Sequence, residues 1–120
     1  MNSFLIQVYN RNEWDAAVAR SDDLPVILHV HAPTCKKSEL VKEVMKHLRD
    51  YFQFVNILVD AAEADTDFLC GLKLTRLPAV KLFPCAMNDK GITLIETDPD
   101  TVAVVVAQHC RPQLIFTQAF

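Results

Sequence analysis

The spacing of apolar residues changes period several times along the chain, and each change marks an element. Phe4-Leu5-Ile6-Gln7-Val8-Tyr9 is a short, largely apolar run that predicts a first strand. Asn10 or Asn12 can cap a helix running to about Arg20, with Trp14, Ala17 and Val18 on one face. Ser21-Asp22-Asp23 reads as a turn. Residues 25–31 follow, a continuous apolar stretch interrupted only by His29 and His31, which predicts a buried strand. From 35 to about 52 the period becomes helical: Leu40, Val41, Val44, Met45, Leu48 and Phe52 recur, with Lys42, Glu43, Lys46 and Arg49 between them. Phe54 to Val59 predicts a strand bounded by Asp60, and residues 65–72 a short helix with Asp65 near its start and Gly71 near its end. Pro78 opens a strand over Ala79–Phe83, and Gly91 to Glu96 pairs back on it as a hairpin.

Asp98-Pro99-Asp100 has the chemistry of a helix start, with a capping acid, proline in the first turn and a second acid on the positive dipole end. The run Val102-Ala103-Val104-Val105-Val106 pulls the other way, because β-branched residues favour strands. The start signal decides for helix. The tail, Arg111 to Phe120, carries Leu114, Ile115, Phe116 and Phe120 and is expected to pack back on the domain or to serve as a contact surface. This order predicts an α/β domain over 1–110, with a 111–120 tail. Its central mixed sheet has helices on both faces.

Composition narrows the function classes. Half the residues are hydrophobic and the net charge is −3, so no basic field points to nucleic acid or to anionic lipid. No apolar run approaches the length of a membrane span, and Phe4-Leu5-Ile6 is too short for the core of a signal peptide. Cys35, Cys70, Cys85 and Cys110 are far apart, with no Cys-x-x-Cys pair. They read as thiols of a reducing compartment, which makes a cytoplasmic location the expectation.

The chemistry concentrates where the buried strand meets the long helix. Pro33 and Thr34 form a turn, and Cys35 enters the first helical turn. There, unpaired amides and the helix dipole favour a thiolate. Lys36 and Lys37 add positive charge. Three residues on, where a dithiol enzyme would place its second sulfur, stands Ser38. Two readings of Cys35 stay open: a low-pKa nucleophile, or a vestigial cysteine on a binding domain. Ser38 is either a hydrogen-bond donor to the thiolate or an ordinary first-turn serine. His29 and His31 point to one side of their strand. With Cys35 they invite a metal site, but no fourth ligand stands at zinc-like spacing, so core or rim histidines are expected and no metal or other cofactor. Cys70, in Phe68-Leu69-Cys70, reads as a small buried hydrophobe. Cys85 and Cys110 should lie at the pole opposite Cys35.

The strand Val26–His31 running into Ala32-Pro33-Thr34-Cys35, the strand ending at Asp60, and Arg76-Leu77-Pro78 together resemble the thioredoxin family over about residues 3–110. The resemblance implies the thioredoxin fold and a cis Leu77–Pro78 bond facing Cys35. It also implies that Thr34, Leu77 and Pro78 bind an extended substrate segment. The departures matter as much. Thioredoxins carry Trp-Cys-Gly-Pro-Cys where this chain has Thr34-Cys35-Lys36-Lys37-Ser38. His29 takes the place of the family's buried aspartate, and His31 that of a tryptophan. Monothiol glutaredoxins, which hold an iron–sulfur cluster with glutathione, differ too: they have Gly-Phe inside the motif and Thr-Val before the proline.

Two functions follow. In the first, Cys35 forms mixed disulfides with protein or glutathione partners. Lys36, Lys37, His29 and His31 tune its pKa, an external thiol reductant recycles it, and dithiol reductase activity is low. In the second, the domain is a non-catalytic adaptor, similar to the phosducin-like or Dim proteins. The phosducin-like group shares a hydrophobic-His strand and a Phe-Leu-Cys segment, but this chain lacks its N-terminal helical arm.

Overall fold

The computed structural model describes residues 5–21, 24–84 and 91–113. In chain order the elements are β1 (Ile6–Gln7), α1 (Arg11–Ala19), β2 (Val26–His31), α2 (Lys36–Tyr51), β3 (Val55–Asp60), α3 (Thr66–Gly71), β4 (Ala79–Phe83), β5 (Ile92–Ile95) and α4 (Pro99–His109). The strands form one five-stranded sheet in the order β1-β3-β2-β4-β5. β1, β3 and β2 are parallel, while β4 runs antiparallel to both β2 and β5. This is the mixed sheet expected from the element order.

Side-chain alternation along β2 divides the interior into two layers. Ile27, with Val80 and Leu82 of β4, faces α2 and α4, where Val41, Met45, Leu48, Val102 and Val106 complete the core. Val26, Leu28 and Val30, with Ile57 and Val59 of β3, face the other side and meet Ala17 of α1 and Phe68 of α3. Both faces of β2 are therefore covered, which is why it reads as an apolar run broken only by His29 and His31. Met45 is 1% exposed in the first layer. Met45→Ala is expected to cost about 2–5 kcal/mol through the cavity it leaves, read as a lower urea midpoint by circular dichroism.

Side-chain caps set the starts of α1, α3 and α4. Asn10 accepts from the Glu13 amide at 2.9 Å, Asp65 from the Phe68 amide at 3.2 Å, and Asp98 from the Thr101 amide at 2.9 Å. At α4 the capping acid and Pro99 outweigh the β-branched run, and Val102 and Val106, one turn apart, are both buried against the first core layer.

Several expectations need correction. Among the described residues the first strand spans only Ile6–Gln7: past Val8, whose amide donates to the Leu58 carbonyl, the Tyr9 carbonyl accepts from the Asp65 amide and the backbone turns toward α3. Cys35 is the extended N-cap of α2 and not a residue of its first turn. The third strand begins at Val55 and includes Asp60. Cys70 is exposed: Phe68 supplies the buried anchor of the six-residue α3, and Cys70 falls on its outer side. Phe4, Asp22, Asp23, Cys85 and residues 114–120 lie outside the described residues. The start of the tail does pack back, with the Gln53 amide donating to the Arg111 carbonyl at 2.8 Å and the Gln113 amide to the Tyr51 carbonyl at 2.8 Å.

Candidate functional site

The sheet brings four chain segments to one edge. Val30 pairs with Ala79, Ala79 with Ile95, and His31 with Asp60. The end of β2, the end of β3, the start of β4 and the end of β5 therefore share a pole. The Ala61 amide donates to the His31 carbonyl at 2.8 Å, and the Thr97 amide to the Pro78 carbonyl at 3.0 Å, so the connecting turns continue this alignment. Helices α2 and α4 both begin here, with their positive dipole ends toward the same surface. The Leu77–Pro78 peptide bond is cis. Pro78 is buried, Leu77 half-buried and Thr34 exposed.

Cys35 is half-buried at the N-cap of α2. Its amide donates to the Ala32 carbonyl at 3.0 Å, and its carbonyl accepts from the Glu39 amide at 3.2 Å, which fixes the turn around it. The sulfur makes no cap hydrogen bond of ordinary geometry. It is nonetheless held below the usual thiol pKa, chiefly by the Ser38 amide, with the Ser38 hydroxyl, the Lys37 amide and the Lys37 ammonium adding in the same direction against a desolvation that opposes them. Charge-assisted bonds of this kind reward the thiolate and not the thiol.

Ser38 is the structural surprise of the site. It is fully buried, and its hydroxyl oxygen accepts from the Ala32 amide at 3.1 Å. A hydroxyl has one proton to give and two lone pairs to accept with. With the Ala32 amide on one lone pair, the proton is left for the Cys35 sulfur. The first-turn serine thus ties the end of β2 to the sulfur. Lys36 and Lys37 are exposed, and neither ammonium forms an ion pair among the described residues.

Both histidines are buried on the α2 side of the sheet, at 1% and 4% exposure. Their rings meet edge to face with centroids 5.7 Å apart. Burial holds His29 neutral, with its pKa lowered to about 3, and the neighbouring His31 and Lys42 push the same way. His29 Nε2 and His31 Nδ1 have no hydrogen-bond partner among the described residues. His31 Nε2 lies 3.3 Å from Glu39 Oε2. The pairing of Glu39 with His31 was missed in the sequence, although Glu39 stands one helical turn beyond Cys35 and His31 four residues before it. No group of three or more His, Cys, Asp or Glu side chains able to hold a metal occurs among the described residues.

The other cysteines stand apart from this geometry. Cys110 caps the far end of α4, buried in the first core layer, and burial pushes its thiol up to about 11. Cys70 lies on the outer side of α3. A largely apolar cleft of about 440 Å³, lined by Ile6, Ala17, Arg20, Leu24, Arg49, Phe54 and Val55, opens at the opposite pole and brings nothing to Cys35. No helix among the described residues is long and apolar enough to cross a membrane.

No protein-family model matches the chain, and no curated protein matches it significantly. Solved structures do. Oxidised thioredoxin O1 from Arabidopsis thaliana superposes with a TM-score of 0.75 at 19% identity, over 89% of this chain and 98% of that one. A mutant thioredoxin from Halobacterium salinarum gives 0.73 at 16% identity, over 94% and 95%. Mitochondrial thioredoxin 3 from Saccharomyces cerevisiae gives 0.70 at 15%, over 87% and 94%. The chain has the thioredoxin fold.

Proposed function

We propose that this thioredoxin-like chain is a monothiol redox protein of a reducing compartment such as the cytosol, in which residues 1–110 form the working domain and 111–120 a tail. The observation that carries the reading is the environment of Cys35. A part-exposed sulfur at a helix N-terminus faces the amides of Lys37 and Ser38 and a buried hydroxyl, all of which favour its thiolate.

The chemistry runs in two balanced steps. The Cys35 thiolate attacks one sulfur of a partner disulfide; a new S–S bond forms, and the partner's other sulfur leaves as a thiolate. Ser38 offers no sulfur to break that bond. An external thiol such as glutathione therefore attacks the partner's sulfur, forms a disulfide with it, and returns the Cys35 thiolate. Leu77 and Pro78 dock the partner's backbone, Thr34 lines the approach, and Lys36 and Lys37 hold negative charge near the sulfur.

Alkylation of Cys35 followed against pH is expected to show a midpoint below that of a free thiol, while insulin reduction stays nearly silent. Wild-type protein incubated with a lysate is expected to trap disulfide-linked partners that Cys35→Ala does not. An ordinary alkylation midpoint, with the same partners recovered by both proteins, would replace this reading with the thiol-independent adaptor.

A further inference from the structure

The rim of the Cys35 pole carries charges that the thiol chemistry leaves unused. Arg76, directly before Leu77, reaches across to Glu96, with Nη1 and Oε1 3.1 Å apart and both side chains well exposed. Glu96 follows the last residue of β5, where Ile95 pairs with Ala79, so the ion pair spans the two segments that flank the docking edge. The Glu96 backbone sits at φ 50, in the left-handed region that non-glycine residues rarely occupy. At the start of α2, Lys36 and Lys37 are exposed without an ion-pair partner among the described residues, and Lys37 is near enough to Asp98 to favour its carboxylate. Three exposed cations therefore stand in the segments that meet at this pole: Lys37, whose ammonium favours the Cys35 thiolate, Lys36 beside it, and Arg76 directly before Leu77. Two are open to a visitor, and the third is occupied by an internal carboxylate whose exposed pairing is easily exchanged.

We propose that Glu96 is a specificity-determining residue that occupies a partner's seat: protein disulfides flanked by carboxylates reach Cys35 by taking Arg76 from Glu96 while engaging Lys36 and Lys37. This rests on Cys35 acting as a nucleophile and adds the class of partner it selects. The recognition is electrostatic, so it raises the rate of encounter and is screened by salt.

The test uses three short cysteine peptides, acidic, neutral and basic in flanking charge, each activated as a thiopyridyl disulfide. Attack by Cys35 forms the Cys35–peptide disulfide and releases pyridine-2-thione, whose absorbance gives the second-order rate. The rate of the Cys35→Ala protein, which reports the remaining thiols, is subtracted. At low salt the acidic peptide is expected to react roughly three- to tenfold faster than the basic one, from two or three charges at ~10 Å in a water-like dielectric. That ratio should collapse at high salt. Glu96→Gln, which keeps the backbone requirement at position 96, should widen the ratio by about two- to threefold, and Arg76→Gln should narrow it by a similar factor. Equal rates for all three peptides, or a ratio that Glu96→Gln leaves unmoved, would overturn the proposal while a fast neutral peptide kept Cys35 as a nucleophile. A neutral peptide reacting no faster than with free cysteine would overturn both.

Discussion

Acidification is expected to destabilise this fold well before its carboxylates titrate, and His29 is the cause. Its pKa is lowered from 6.5 to about 3 by burial between the sheet and α2, with His31 and Lys42 opposing a further positive charge. The folded state therefore keeps His29 neutral between those values, while the unfolded chain takes up a proton. Where the unfolded state binds more protons, stability rises with pH, so His29's contribution is fully present above pH 6.5 and is lost as pH falls toward 3. The slope through that window approaches about 1.4 kcal/mol per pH unit, a large share of the ~5–15 kcal/mol that holds a domain together. Urea unfolding at pH 7.0, 6.0, 5.0 and 4.5 should show the midpoint dropping steadily. His29→Leu removes the buried imidazole and its unpartnered Nε2 at similar volume, and should flatten the dependence over the same range. Asp98, whose carboxylate is stabilised chiefly by the Thr101 amide, loses its contribution only as pH falls below 3.8 and toward its lowered folded pKa, outside the window measured. Equal slopes for wild type and His29→Leu would show that the acid sensitivity arises elsewhere.

The same residue shows what the sequence makes legible. His29 and His31 were legible as a same-face pair because strand alternation is strict, and burial followed from the apolar run around them. That His29 Nε2 and His31 Nδ1 find no partner among the described residues while His31 Nε2 meets Glu39 was not legible, since that depends on what the neighbouring elements bring opposite. The long second helix was clear because Val41, Met45 and Leu48 keep one face over successive turns. α4 was clear for a different reason: a capping acid and a proline override the β preference of the valine-rich run once Val102 and Val106 have a core to enter. Cys70 is exposed, against the sequence expectation, because a helix of six residues buries one anchor, and Phe68, not the cysteine two positions on, is that anchor. β1 is shorter than its apolar run because apolar residues at an edge need not all be strand; Val8 is buried and its amide still reaches the Leu58 carbonyl, and the chain turns toward α3 at Tyr9. Nothing in the spacing pointed to Arg76 and Glu96, which are twenty residues apart and meet only through the register of β4 on β5. Periodicity reports the face a residue occupies, and contacts across strands depend on register.

Ser38 carries the second large effect, and substituting it in two directions separates its roles. Ser38→Ala removes the acceptor of the Ala32 amide and the hydroxyl turned to the Cys35 sulfur while leaving the backbone amides in place. The unpaired amide should cost about 1–3 kcal/mol of stability, because Ser38 is fully buried and water cannot readily replace it. The alkylation midpoint of Cys35 should move upward, toward that of a free thiol, without reaching it, since the Ser38 and Lys37 amides still favour the thiolate. At a pH below the midpoint the alkylation rate should fall by roughly three- to tenfold. Ser38→Cys acts on a later step. It places a second sulfur where the hydroxyl faces the first, so a mixed disulfide on Cys35 can be attacked from within the same helical turn. The lifetime of a preformed Cys35–glutathione adduct, followed by intact mass without added thiol, should shorten by roughly a hundredfold or more, the usual advantage of an intramolecular attack. The two variants also test each other. If Ser38→Ala leaves the alkylation profile unchanged, the hydroxyl does not act on the sulfur. If Ser38→Cys leaves the adduct as long-lived as in wild type, the missing second sulfur is not what keeps partners bound, and the monothiol account of this site fails.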